Sequence, residues 1–242
     1  MDDQLKPVRI PYTTSPSGRE TEKLLMPSPL VRPMLTPEAI QSALKGPLPG
    51  LRAQARMAPI PRPLRPPTPD HQPREGGVLV LLYPGEASGD LHLVLTRRTD
   101  TLGNHRGQIS FPGGSVDPGD PSTTQTALRE ACEEIGVCRD DLCLLGDLTP
   151  LYIPPSDFCI HPHVAYLPRR PRLQPDPAEV AEVLEVPVAY FLDDRNVVEE
   201  EWVIGDERRW VPFFNVHGHK VWGATAMVLA EFVAVLRSAS PG

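Results

Sequence analysis

No apolar run in this sequence approaches the roughly 20 residues that a membrane-crossing helix needs. The longest, Val78 to Tyr83 and Gly223 to Ala230, suit a buried strand and a core helix. Cysteine is scarce: four residues, at 132, 138, 143 and 159, with no Cys-x-x-Cys pair. A chain of 242 residues buries enough apolar surface to fold without staples, so the expectation is reduced thiols in a cytoplasmic protein. A positive surplus is also missing. Lys and Arg total 24 against 31 Asp and Glu, a formal charge of −7, which argues against generic nucleic-acid binding. The first residues, Met-Asp-Asp-Gln, are acidic and lack an apolar stretch, so no secretory signal is expected there.

Proline, by contrast, is abundant. Of 31 prolines, 16 fall in residues 1–75, with runs such as Pro59-Ile60-Pro61-Arg62-Pro63. Such density forbids long helices and central strands. The division expected is a proline-rich N-terminal extension over 1–75, draped over the domain or partly disordered, and a folded domain over 76–242. One short helix is expected from Thr36, a good N-cap, through Pro37 at the first helical position to Gly46. Arg52, Arg56, Arg62 and Arg65 make the extension locally basic. That fits a solvated linker, and equally a segment that holds a phosphate-rich ligand or partner.

From Gly76 the texture changes. Residues 78–83 and 91–98 read as strands around the loop Pro84 to Asp90, and 107–114 is extended and ends in Pro-Gly-Gly. Ser122, with Gln125 three residues on, forms a capping box for a helix from Thr123 to Ile135 that stops at Gly136. Strands follow at 142–153 and 160–167, a helical or mixed stretch at 176–192, a hairpin at 196–214 and a last helix from Ala224 to Leu236. Mixed strands around one strongly marked helix define an α+β or α/β sandwich.

The chemistry concentrates on the helix at 123–135. At about 100° per residue, Leu128, Ala131, Cys132 and Ile135 form a buried stripe. Glu130, Glu133 and Glu134 fall on the opposite face, where like charges repel at a cost of a few tenths of a kcal/mol per pair. A solvated acidic face tolerates this, and so does a metal site. The preceding turn, Phe111-Pro112-Gly113-Gly114, favours the metal, because a backbone carbonyl there can approach a cation. Hard divalent ions take a few carboxylates plus phosphate and water oxygens, which points to phosphoryl chemistry.

Arg129-Glu130-Ala131-Cys132-Glu133-Glu134-Ile135-Gly136-Val137 resembles the second half of the Nudix box, Arg-Glu-U-x-Glu-Glu-x-Gly-U with U aliphatic. The first half departs: Asp120 replaces the first Glu, and eight residues rather than seven separate it from Arg129. The resemblance implies an α/β/α sandwich with a mixed sheet and dependence on Mg²⁺ or Mn²⁺. It implies that Glu130 and Glu134 are principal metal ligands, with Glu133 and the carbonyl of Gly113 or Gly114 as further contacts. Arg129 would orient the carboxylates, and Glu133 and Glu134 would serve the catalytic step. Glu179 and Glu182 are candidates for a base or extra ligand outside the box.

The stretch before the box, Val94-Leu95-Thr96-Arg97-Arg98-Thr99 through Gly107 to Phe111-Pro112-Gly113-Gly114, resembles the coenzyme A diphosphatase subgroup, whose register it keeps. Thr99 stands for Ser or Ala, and Gly103 for Arg. The implied reaction is cleavage of coenzyme A or its derivatives to 3′,5′-ADP and 4′-phosphopantetheine. Arg97, Arg98 and Arg106 are then the candidates for binding substrate phosphates. The loss of Arg at 103 keeps open another diphosphate, such as ADP-ribose or a nucleoside triphosphate. A third reading is a binding module that does not hydrolyse its ligand. The partner expected is a small molecule, with no nucleic acid and no membrane; a homodimer is admitted. His105 reads as a surface imidazole or a phosphate donor, Trp222 as core or an adenine platform, and the cysteines as small buried hydrophobes.

Overall fold

The computed structural model describes residues 35–60, 68, 70–86, 89–99, 107–138, 140–204 and 206–239. In chain order these form α1 (Pro37–Leu44), α2 (Leu51–Gln54), β1 (Arg74–Pro84), β2 (Leu91–Arg98), β3 (Ile109–Ser110), β4 (Gly113–Ser115) and α3 (Thr123–Ile135). Then follow β5 (Cys143–Asp147), β6 (Leu151–Ile153), β7 (Phe158–Tyr166), β8 (Val180–Pro187), α4 (Val188–Phe191), β9 (Val197–Ile204), β10 (Glu207–Val216), β11 (His219–Trp222) and α5 (Gly223–Ala239).

Strands β3-β2-β1-β7-β5 form the spine of a mixed sheet, with β4 paired to β1, β6 to β7 and β8 to β2. Among the described residues only β1 and β7 run parallel; the other pairs are antiparallel. A second, antiparallel sheet runs β11-β10-β9. The alternation of β1 divides the core between two layers. Leu79, Leu81 and Tyr83 pack against Ala127, Ala131 and Ile135 of α3. Val80 and Leu82 belong to the larger core containing Phe232 and Leu236 of α5 with Ile40 and Leu44 of α1. The architecture is therefore the expected α+β sandwich, helix against sheet on both faces.

Two expectations shift. Residues 35–60 of the proline-rich extension share the main core through Ile40, Leu44, Met57 and Ala58, and Pro33–Gly242 form one compact unit. Glu231 on α5 is wholly buried and anchors this segment. Its carboxylate accepts from the Gly50 amide at 3.0 Å, Gln54 Nε2 at 2.8 Å and the Thr149 hydroxyl at 2.6 Å. The stretch 180–187, read as helical or mixed, is a strand in register with β2 from His92↔Pro187 to Arg98↔Val180. Its Glu-Val-Ala-Glu-Val-Leu-Glu pattern satisfies either period, and the open edge of β2 decides for the strand.

Candidate active site

Helix α3 has the ends its sequence specifies. The Ser122 side chain accepts from the Gln125 amide at 3.3 Å, and Gly136 closes the helix in the left-handed region at φ 73°. At its start, buried His163 of β7 ties the helix to the sheet. Nε2 lies 3.1 Å from Thr123 Oγ1, and Nδ1 2.6 Å from Asp147 Oδ1.

The three box glutamates are not equivalent, contrary to a single shared outer face. The buried stripe is Ala127, Ala131 and Ile135, and it carries Glu134 with it: that residue is 4% exposed. The Glu130 side chain is 16% exposed, whereas Glu133 points outward at 58%. Glu130 lies against β4; a Cβ on Gly114 would meet its Oε1 at 2.4 Å. Gly114 thus lets the backbone approach a carboxylate that any side chain would displace. Burial, then the neighbouring Glu130 charge, pushes the Glu134 carboxyl up to about 8. Arg98 and the Gly113 amide oppose that rise. Glu130 is raised too, chiefly by burial.

Arg129 binds this group together. It donates to Glu130 Oε1 at 2.9 Å, to Glu133 Oε2 at 3.0 Å and to the Ser115 carbonyl at 3.2 Å. Its other edge grips Asp120, from Nε at 3.1 Å and Nη2 at 3.0 Å. Asp120 also accepts from Thr126 Oγ1 at 2.9 Å and the Asp117 amide at 3.0 Å, and these donors hold its carboxyl well below the usual range. The displaced acid of the motif therefore still engages the arginine. It lies just before the helix and reaches the first turn through Thr126. Sequence reasoning assigned it no role; the signal was an acid with a free choice of register before a capped helix.

Two groups outside the helix join the cluster. Glu179, just before β8, raises the carboxyls of both Glu130 and Glu134 through its charge. Arg98, at the end of β2, is the cation that Glu134 feels, and its Nε is buried without a hydrogen-bond partner among the described residues. Glu182 is elsewhere: it accepts from Arg97 Nε at 3.3 Å and lies 3.4 Å from His219 Nε2. Arg97 and Arg98 thus part company at a register shift in β2. Arg106, Gly103 and His105 lie outside the described residues. Trp222 is half-buried and meets Trp202 edge-on at 5.1 Å, part of an aromatic cluster with Phe213.

The cysteine expectation is corrected. Cys132 and Cys138 form a disulfide with Cα atoms 4.6 Å apart, and Cys138 and Cys143 are exposed. The left-handed turn at Gly136 folds the chain back and brings Cys138 beside the last turn of α3, which spacing alone did not reveal.

The arrangement suits a hard cation. Glu134 Oε2 is buried with no hydrogen-bond partner among the described residues, inside a group of carboxylates that repel one another. Among the described residues no three acidic, His or Cys side chains already converge on one point. Arg129 draws Glu130 and Glu133 to itself instead. A divalent ion would relieve this repulsion and supply the missing partner.

The family model of the NUDIX domain matches residues 73–213, which include α3, Arg98 and Glu179. The chain belongs to the Nudix family. The human protein named mitochondrial coenzyme A diphosphatase NUDT8 is 37% identical over 174 residues, 71% of this chain and 72% of that one. The mouse peroxisomal coenzyme A diphosphatase NUDT7 is 41% identical over 104 residues, 43% of this chain and 44% of that one. Nudix hydrolase 22, chloroplastic, of Arabidopsis thaliana is 34% identical over 176 residues; the match covers 70% of this chain and 58% of that protein's length.

Proposed function

We propose that this chain is a metal-dependent diphosphatase that cleaves coenzyme A or a derivative to 3′,5′-ADP and 4′-phosphopantetheine. The observation that carries the reading is the buried, unpartnered Glu134 oxygen among Glu130 and Glu179 and beside a cation, Arg98. The names of the human and mouse relatives support the choice of substrate.

Bound Mg²⁺ or Mn²⁺ lowers the pKa of water and neutralises phosphate charge. Glu130 and Glu134 would hold the ion, with the Gly114 backbone close to Glu130. Arg129, fixed by Asp120, is the positioning group that keeps Glu130 and Glu133 in place. Glu133 faces outward to solvent, and Glu179 is the proposed base from outside the box, its charge acting on both Glu130 and Glu134. Arg98 holds the diphosphate, for which its free Nε is a ready donor. Arg97, already paired with Glu182, and Arg106 are assigned the outer phosphate. The departure at Gly103 favours one second reading, another diphosphate such as ADP-ribose or a nucleoside triphosphate.

Product analysis by mass spectrometry tests this, with Mg²⁺ or Mn²⁺ and coenzyme A, acetyl coenzyme A, ADP-ribose, NADH and dGTP. Release of 3′,5′-ADP from coenzyme A ahead of the others is expected. Turnover of another compound with coenzyme A intact overturns the substrate and retains the metal site. A homodimer, tested by light scattering, and a cytoplasmic location belong to the same reading. The three relatives named above are mitochondrial, peroxisomal and chloroplastic by name, so fractionation of the source cells checks the location.

A further inference from the structure

Residues 174–179 run between the end of α3 and the end of β2, with the backbone fixed on both sides. On the helix side the Gln174 amide donates to the Ile135 carbonyl at 2.8 Å, and the Asp176 amide to the Glu134 carbonyl at 2.9 Å. These last-turn carbonyls have no partners within a helix. Gly136 permits the approach, since a Cβ there would meet Gln174 Cβ at 2.9 Å. On the strand side the Thr99 amide donates to the Glu179 carbonyl at 3.0 Å, and the Thr99 hydroxyl to the Ala178 carbonyl at 3.2 Å.

Asp176 makes the turn between these anchors. Its Oδ1 accepts from the Ala178 amide at 2.9 Å, and its carbonyl accepts from the amides of Glu179 at 3.1 Å and Val180 at 2.8 Å. Pro175 and Pro177 flank it and fix φ on either side, so little entropy is lost in forming the turn. The peptide that bears the Glu134 side chain therefore also holds the turn that launches Glu179, next to Arg98.

We propose that Asp176 is a positioning residue for the hydrolysis: its turn, hung between Glu134 and Thr99, fixes the Glu179 carboxylate at the glutamate cluster of α3. This rests on the diphosphatase reading above. Asp176 is exposed, so its side chain can be changed without opening the core.

The test is a double-mutant cycle in the full chain with Mn²⁺ and coenzyme A. Asp176→Ala should lower kcat about 10-fold with KM within twofold, the scale of one lost hydrogen bond. Asp176→Asn keeps the acceptor oxygen and should restore most of the rate. Glu179→Gln should lower kcat on the order of 100-fold, and adding Asp176→Ala to it should cost nothing more. Additive losses, or an Asn variant as slow as the Ala variant, overturn the proposal while leaving the diphosphatase reading intact. If coenzyme A is not cleaved, the substrate reading fails and the cycle is run on the panel compound that is. Hydrogen exchange gives a readout free of turnover. In Asp176→Ala the amides of Glu179 and Val180 should exchange about 10-fold faster than in the parent chain. Unchanged exchange at both overturns the proposal without any substrate.

Discussion

Replacing Glu134 by Gln should stabilise the metal-free protein while destroying its use of metal. In the fold the Glu134 carboxyl is raised from 4.5 to about 8 by burial and by Glu130. A carboxyl so raised is at its most favourable in the fold below pH 4.5, where it is neutral in both states. Above that, the unfolded chain loses its proton first, and stability falls with pH until the folded group ionises near pH 8. At pH 7 the integrated loss is about 3 kcal/mol, at 1.36 kcal/mol per pH step. The neutral, nearly isosteric Gln avoids that loss. Urea unfolding in EDTA should therefore show Glu134→Gln more stable than the parent by about 3 kcal/mol at pH 7. The gap should close toward pH 4.5. Mn²⁺ should then raise the parent's melting temperature and leave the variant's unchanged. A gap that is absent, or the same at pH 5 and pH 8, would refute the reasoning about buried repulsion.

Other perturbations follow from particular contacts. Arg129→Lys loses the planar fork that reaches Asp120 along one edge and Glu130 and Glu133 from its other end; kcat should fall on the order of 100-fold with the fold retained by circular dichroism. Reducing the Cys132–Cys138 disulfide reopens a short loop and should cost about 2 kcal/mol in urea titrations. Thiol counting in denaturant should find two free cysteines before reduction and four after it, and four beforehand would disprove the bond. Glu231→Ala leaves the Gly50 and Thr149 amides and Gln54 without their shared acceptor. It should cost about 3 kcal/mol and open residues 35–60 to limited proteolysis. Unaltered digestion would mean that the apolar contacts of Ile40 and Met57 suffice to hold the segment.

Much of the candidate site was legible in the sequence. Helix α3 could be drawn to both ends because its signals are local: Ser122 and Gln125 cap one end, and Gly136 turns the other. Glu130, Glu134, Arg129 and the Gly113-Gly114 turn could be proposed as site residues because they fall within one short stretch of the chain. Glu179 was picked out beside Glu182, but nothing local separated the two. Only the course of β8 sends one to the cluster and the other to Arg97.

The sequence by itself determined the local matters: element type where caps and period agree, the glutamate-bearing helix, and the α+β class. Tertiary structure decided what depends on which surface meets which. It buried Glu134 and left Glu133 in water, because α3 turns that side toward the sheet at β4. It gave Asp120 to Arg129 across a loop whose length departs from the motif. It made 180–187 a strand, because β2 offered an unpaired edge. It brought Cys138 back to Cys132, and it set residues 35–60 into the core through a carboxylate 181 residues from Gly50 in the chain. Each is a contact between segments distant in sequence or a choice between two faces, and neither is written into the order of neighbouring residues.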